Sequence, residues 1–270
     1  MNGQQAPLHG WALILGASSG FGEATALALA RHGLHILGVH MDRKATLSNV
    51  DRIAGEIKAM GREALFFNVN AADAEKRHEV LDQISRLLTE RGEPGAVTVL
   101  LHSLAFGALR PYITDDAKET LTQSQLEMTL DVMANSLVYW TQDLIQRKLM
   151  GAGGRIFAMT SSGGTHVWPT YGAVSAAKAA LEAHVRQLAY ELAPLGISAN
   201  SIRAGVTDTP ALRKIPGNEN LINGAMAKNP HRRLTTPQDV ASAIASLCVE
   251  GTRWITGNVI GVDGGEDLTG

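Results

Sequence analysis

The chain predicts an α/β fold, one doubly wound parallel sheet with helices on both faces, and two observations carry that expectation. Short apolar runs alternate with amphipathic stretches from one end to the other, and unbroken apolar strands belong to parallel sheets buried on both sides. A glycine-rich turn, Gly16-Ala17-Ser18-Ser19-Gly20-Phe21-Gly22, stands between the first apolar run and the first helical stretch. At 270 residues and 45% apolar content the chain can bury one large core. No linker, repeat or low-complexity segment divides it, so a single domain over 1–270 is expected.

Taken in order, the strand at 11–15 ends in Gly16 and a helix pattern follows over 21–32. A strand at 35–39 precedes a helix at 45–60, and a strand at 64–69 precedes a helix at 73–91, where Val80, Ile84, Leu87 and Leu88 share one face. A strand at 97–101 leads to a long helical stretch from 123 to 150. Then come a strand at 155–159, a helix from Tyr171 to Ala193, a strand at 197–202 and a last strand at 257–262. The segment 207–236, rich in Gly, Asn and Pro from Pro210 onward, reads as a mobile substrate lid or as an ordinary surface excursion. Residues 1–9 read as flexible.

Charge and cysteine usage exclude several classes. With 24 basic and 26 acidic side chains mixed along the sequence and a net charge of −2, there is no footprint for nucleic acid or an anionic membrane. Cys248 is the only cysteine, which removes disulfide frameworks and thiolate metal sites and fits a reducing compartment. Its apolar helical surroundings suggest inert packing. No apolar stretch approaches membrane-spanning length, so a soluble, cytoplasmic protein acting on a small or acyl substrate, with no metal, is expected.

Two stretches carry chemistry. Glycines after a buried strand and before a helix let the backbone turn tightly, approach a pyrophosphate and present the helix amino terminus to it. Gly16, Ser18, Ser19, Gly20, Phe21 and Gly22 are the candidates for that contact, although a plain glycine turn has the same composition. In the second stretch Tyr171 and Lys178 are seven residues apart. At about 100° per residue they return to one helical face, two turns apart, so a phenol and an ammonium can point into one site. The position one turn before the lysine is Val174.

The G-x-x-x-G-x-G spacing of the first turn resembles the short-chain dehydrogenase/reductase family, which implies a single-domain Rossmann fold binding NAD(P). An acid after the second strand would bind a ribose 2′-hydroxyl and a base a 2′-phosphate. That place holds His40, with Asp42, Arg43 and Lys44 following. His40 and Arg43 incline the reading to NADPH, Asp42 keeps NADH open, and Arg43 and Lys44 can equally be a solvated helix start. Asn68-Val69 stands where the family has Asp-Val beside the adenine. His102-Ser103 replaces the family's Asn-Asn and resembles the enoyl-acyl-carrier-protein reductases, with both side chains expected to satisfy loop backbone groups beside the cofactor ribose. Phe106 and Leu109 suit either an acyl pocket or the core.

Further matches follow the same family in order. Met133 occupies the place of the usual active-site Asn, and Asn135 lies about 200° round the helix from it. Ser161 matches the family's substrate-binding Ser, thirteen residues before Val174. The usual Tyr is missing at Val174, and Tyr171 with Lys178 forms the Tyr-x6-Lys pattern of enoyl reductases. A second tyrosine found in one enoyl reductase subgroup would fall at Ser161, so the chain resembles the divergent, NADPH-using type that lacks it. Ala204 replaces the family's Pro, and the resemblance places the backbone near Val206 on the nicotinamide carboxamide and Thr209 near the pyrophosphate. Arg232 and Arg233 are candidates to meet a carrier phosphopantetheine or an acidic carrier protein.

The resemblance implies NAD(P)H-dependent reduction of the double bond of a 2-enoyl thioester, carried on acyl carrier protein, in fatty acid or polyketide synthesis. Tyr171, Lys178 and Ser161 are the implied catalytic residues, with Lys178 also on the nicotinamide ribose. A homotetramer or homodimer is implied as well. Two other readings stay open: a ketone or alcohol oxidoreductase of the same family using Tyr171 in an unusual register, and a non-catalytic dinucleotide-binding sensor or scaffold.

Overall fold

The computed structural model describes residues 7–269. Seven strands, β1 (Trp11–Leu15), β2 (His35–His40), β3 (Ala64–Asn68), β4 (Val97–His102), β5 (Arg155–Ser161), β6 (Ser198–Ala204) and β7 (Val259–Val262), form one sheet in the order β3-β2-β1-β4-β5-β6-β7. Every pairing within it is parallel. Parallel neighbours require long crossovers. The helices α1 (Gly20–Arg31), α2 (Leu47–Ala59), α3 (Ala74–Glu90), α4 (Gln123–Leu130), α5 (Ser136–Gln146), α6 (Gly172–Leu192), α7 (Asn218–Lys228) and α8 (Pro237–Ser246) lie along these connections. The order reverses between β1 and β4, which opens a crevice at the carboxyl ends of these strands.

The period of two along β1 builds both cores. Trp11, Leu13 and Leu15 point to the layer that holds α3, α5 and α6, while Ala12 and Ile14 point to the layer of α1, α2 and α8. Helix starts follow their capping residues. Asp73 accepts from the Lys76 N–H, Thr122 and Gln125 form a capping box, and Thr236 and Asp239 form another ahead of Pro237.

Two expectations change. The segment 207–236 contains a regular helix, α7, which its Gly and Asn content concealed. Residues 1–6 of the expected flexible amino end lie outside the described residues; Leu8, by contrast, donates its N–H to the His32 carbonyl at 2.7 Å and packs against the α1 core.

The long helix of 123–150 is also interrupted. Residues Asp131–Asn135 form a π turn between α4 and α5, and α5 ends at Gln146. A π turn accommodates an extra residue in a helix. Here it is bonded from the sheet side: the buried His102 ring Nε2 lies 2.9 Å from the Ser136 hydroxyl, which donates to the Val132 carbonyl at 2.8 Å. Since that hydroxyl spends its proton on Val132, the imidazole is the donor to it. Burial, reinforced by the positive charge of Lys178, drives the His102 pKa down to about 3 and keeps the ring neutral. Ser136→Ala leaves a buried ring N–H without an acceptor. Unfolding in urea should show a loss of about 1–3 kcal/mol, and an unchanged midpoint would contradict this role of the pair.

Candidate active site

The carboxyl ends of the central strands open into a cleft of about 590 Å³. At one end lie Gly16, Ser18, Ser19, Gly20 and Phe21, at the amino terminus of α1. Gly16 has φ +90°, and a Cβ on it would stand 2.5 Å from the Ser103 carbonyl oxygen; one on Gly22 would stand 2.0 Å from the Gly16 oxygen. Any side chain at either place would therefore push the turn apart. Gly22 is thus part of the packing beneath the turn and not of the cleft wall. Ser19 caps α1 without a side-chain cap bond, so the hydroxyl and the first helical N–H groups are available to an anion. Thr209 closes the other side of this cradle, its methyl 3.5 Å from where a Gly20 Cβ would lie. A pyrophosphate fits these donors, and a dinucleotide fits a cleft that runs on from here past Ser103 to Lys178.

At the end of β2, His40 and Met41 line the cleft, and Asp42 and Arg43 stand behind them. The His40 Nδ1 is 2.9 Å from the Asp42 carboxylate, which also accepts from the Thr46 hydroxyl at 2.6 Å. Burial works to raise the Asp42 pKa, but bonds with Ser18, Thr46 and His40 outweigh it and hold the carboxyl below its ordinary value. The His40 imidazole is thus bonded to Asp42, and the Arg43 side chain is exposed beside this network. Asn68 differs from expectation. Its carbonyl accepts the Asp42 N–H at 2.9 Å and its amide donates to the Asp42 carbonyl at 3.0 Å, so both groups hold the β2 loop. Val69 lies on the cleft wall. Ser103 does as well, whereas the His102 ring turns inward to Ser136 and satisfies no loop backbone group.

Helix α6 supplies the phenol and the ammonium. Tyr171 caps its amino end and Lys178 follows two turns later, and both line the cleft. The Tyr171 ring lies over Gly163, where a Cβ would be 2.6 Å from it. The preceding Thr170 has φ +63°, a conformation that β-branched residues rarely adopt, in the turn that delivers the phenol. Burial raises the phenol pKa, and the Ser161 hydroxyl beside it works the other way. Ser161 is itself oriented by the Gly163 N–H at 3.1 Å. Lys178 is 6% exposed and donates to the Met159 carbonyl at 2.7 Å. Burial pulls its pKa down to about 8, opposed by Glu182.

Val174 is buried and packs near Gly107, opposite Met133, so no polar group stands where a tyrosine one turn later would be. Met133 also lines the cleft. Asn135 bonds the His184 ring at 3.1 Å instead. Beyond Tyr171 the wall is largely apolar, with Phe106, Leu109, Trp168, Ile215 and Leu221. Trp168, Leu221 and Lys214 had no signal in the sequence beyond their nearness to Tyr171 or to the 207–236 segment. Val206 and Thr209 line the cleft, and the Val206 N–H donates to the Glu266 carboxylate at 3.1 and 3.2 Å.

Arg233 is paired with Asp239 and Arg232 donates to the Ala227 carbonyl, and both side chains are exposed. The Cys248 thiol donates to the Ile244 carbonyl at 3.2 Å, and burial pushes its pKa up to about 12. Among the described residues no cluster of potential metal ligands occurs, and no helix is long and apolar enough to cross a membrane.

The family model described as enoyl-(acyl carrier protein) reductase matches residues 16–266. The 1-cyclohexenylcarbonyl-CoA reductase of Streptomyces collinus is 29% identical over 255 residues, covering 94% of this chain and 85% of that protein. The 3-oxoacyl-(acyl-carrier-protein) reductase FabG of Thermotoga maritima is 26% identical over 254 residues, covering 94% and 96%. The crystal structure of the NADH enoyl-(acyl-carrier-protein) reductase of Aquifex aeolicus superposes with a TM-score of 0.80 at 26% identity, covering 97% of both chains. The cradle at α1, the Tyr171–Lys178 helix and this match over nearly the whole length agree: the chain is an oxidoreductase of the short-chain dehydrogenase/reductase family, within the branch described as enoyl-(acyl carrier protein) reductase.

Proposed function

We propose that this chain reduces the carbon–carbon double bond of a 2-enoyl thioester with NAD(P)H. The observation that carries this reading is that Tyr171 is, among the described residues, the one phenol lining the cleft, with apolar Val174 and Met133 where a carbonyl reductase would keep its tyrosine and its water-holding amide. Bound reduced nicotinamide would supply the hydride to the β-carbon. Negative charge then grows on the thioester oxygen. The Tyr171 phenol, half-buried and with its pKa raised further above neutral by that burial, donates to this oxygen and stabilises the charge as it develops. Lys178 adds a fixed positive charge beside the nicotinamide ribose and the phenol. Ser161 orients the phenol. The apolar wall from Phe106 to Leu221 suits an acyl chain, on coenzyme A or on a carrier protein, and excludes water from the enolate.

A Ser161 hydroxyl beside the Tyr171 phenol is also what a ketone reductase would use, and the 3-oxoacyl reductase FabG is a relative. One assay separates the readings. Cofactor oxidation should be seen with crotonyl thioester; oxidation with a 3-oxoacyl thioester alone would assign the ketone reaction, and oxidation with neither would leave a binding protein. In the same assay Tyr171→Phe removes the donor to a developing oxyanion, with an expected loss of about a hundredfold or more in turnover. Near-normal turnover would remove Tyr171 from the mechanism.

We further propose that the Asp42 carboxylate, bonded to the cleft-lining His40, sets the balance between the two nucleotides. A ribose 2′-hydroxyl can donate to it, whereas a 2′-phosphate meets like charge. Asp42→Ala should therefore raise kcat/KM for NADPH relative to that for NADH, by about tenfold or more if about 1.4 kcal/mol of repulsion is relieved. An unchanged ratio would show that Asp42 does not face the ribose.

A further inference from the structure

Glu182 does not itself line the cleft, yet it is tied to the strand that holds Lys178. Residues Met159 and Thr160 are neighbours on β5, and Lys178 and Glu182 are one turn apart on α6. The Met159 carbonyl accepts from the Lys178 ammonium at 2.7 Å, and the Thr160 hydroxyl donates to the Glu182 carboxylate at 2.7 Å. These two rungs fasten the same stretch of strand to the same face of helix. Gly164 completes the arrangement: a Cβ on it would lie 3.4 Å from the Lys178 Cβ and 3.7 Å from a Glu182 carboxylate oxygen, so the turn after β5 presses against both side chains.

We propose that Glu182 is a positioning residue for Lys178: pinned by Thr160, its carboxylate holds the buried ammonium charged and seated on the Met159 carbonyl. The chemistry around Lys178 leaves this task to Glu182. His102, from β4, is buried and neutral. Tyr171, at the start of α6, is a protonated phenol at neutral pH. From β5 come a carbonyl and a hydroxyl, which are dipoles and carry no net charge. Glu182 is the negative group that opposes the desolvation of Lys178. Without it, an ammonium in that position has one carbonyl against the full cost of leaving water.

The inference rests on the part given to Lys178 in the proposed reaction, and the test keeps the two apart. In the full chain labelled with ¹³C-lysine, the Lys178 resonance is assigned by its loss in Lys178→Met, and its titration is followed by NMR. Glu182→Gln keeps the shape and an acceptor for Thr160, so the fold is retained. Its Lys178 midpoint is expected to fall by about one pH unit, as loss of a nearby opposite charge predicts. The alkaline limb of kcat/KM with crotonyl thioester should move down by the same amount, because the charged form is lost at lower pH. Glu182→Asp retains the charge at a shorter reach and should titrate between the two. A Lys178 midpoint unmoved by Glu182→Gln, or an aspartate variant titrating no higher than the glutamine one, overturns the proposal. Lys178→Met with undiminished kcat/KM would instead overturn the catalytic part of Lys178, while the NMR midpoints would still report on Glu182.

Discussion

The burial of one ammonium group constrains the rest of this active site. Lys178 has left water almost completely, and its direct partner is a single backbone carbonyl at the end of β5. Such a group is tolerable only where the surroundings supply negative charge or oriented dipoles. The end of β5 must therefore approach α6 closely. The glycines at 163 and 164 permit this, one by leaving room for the Tyr171 ring and the other by leaving room for the Lys178 stem. The same closeness brings Ser161 to the phenol. Phenol, ammonium and hydroxyl are thus placed by one contact between a strand end and a helix.

At the opposite end of the cleft, charge is handled differently. The Asp42 carboxylate accepts from Thr46 and pairs with His40, with Ser18 beside it, and the Asp42 backbone exchanges two hydrogen bonds with Asn68. This closed network stiffens the loop after β2 and fixes a negative charge near the turn that would carry the pyrophosphate. The pyrophosphate end, by contrast, offers uncommitted donors at the start of α1. The cleft therefore presents a gradient along its length, from an anion-accepting helix end flanked by an acid to a buried cation beside a phenol.

Much of this was legible in the residue order because it depends on local pattern. The parallel sheet follows from strands such as 11–15 and 97–101 that are apolar on both sides, and the α1 cradle follows from glycines at fixed offsets. The pairing of Tyr171 with Lys178 follows from helical periodicity. What could not be read depends on side chains choosing partners across long separations. Asn68 has the chemistry to meet an adenine and instead meets Asp42, 26 residues away. His102 looked like a loop-satisfying group, and its ring finds Ser136, 34 residues on. Helix α7 was hidden because its Asn and Gly content is that of a loop and it buries only Ala225, so no apolar stripe marks it.

The π turn between α4 and α5 has a consequence for how such chains are matched to one another. One surplus residue puts the two helices about 100° out of phase, so counting along an ideal helix from either side places a given side chain on the wrong face. Met133 faces the cleft and Asn135 faces His184 because the surplus lies between Leu130 and Ser136. Equivalence across this segment is therefore a matter of which residue absorbs the insertion. Two chains with the same letters could present different side chains to substrate, and shortening the turn by one residue would rotate the floor of the pocket without altering any residue that touches the cofactor.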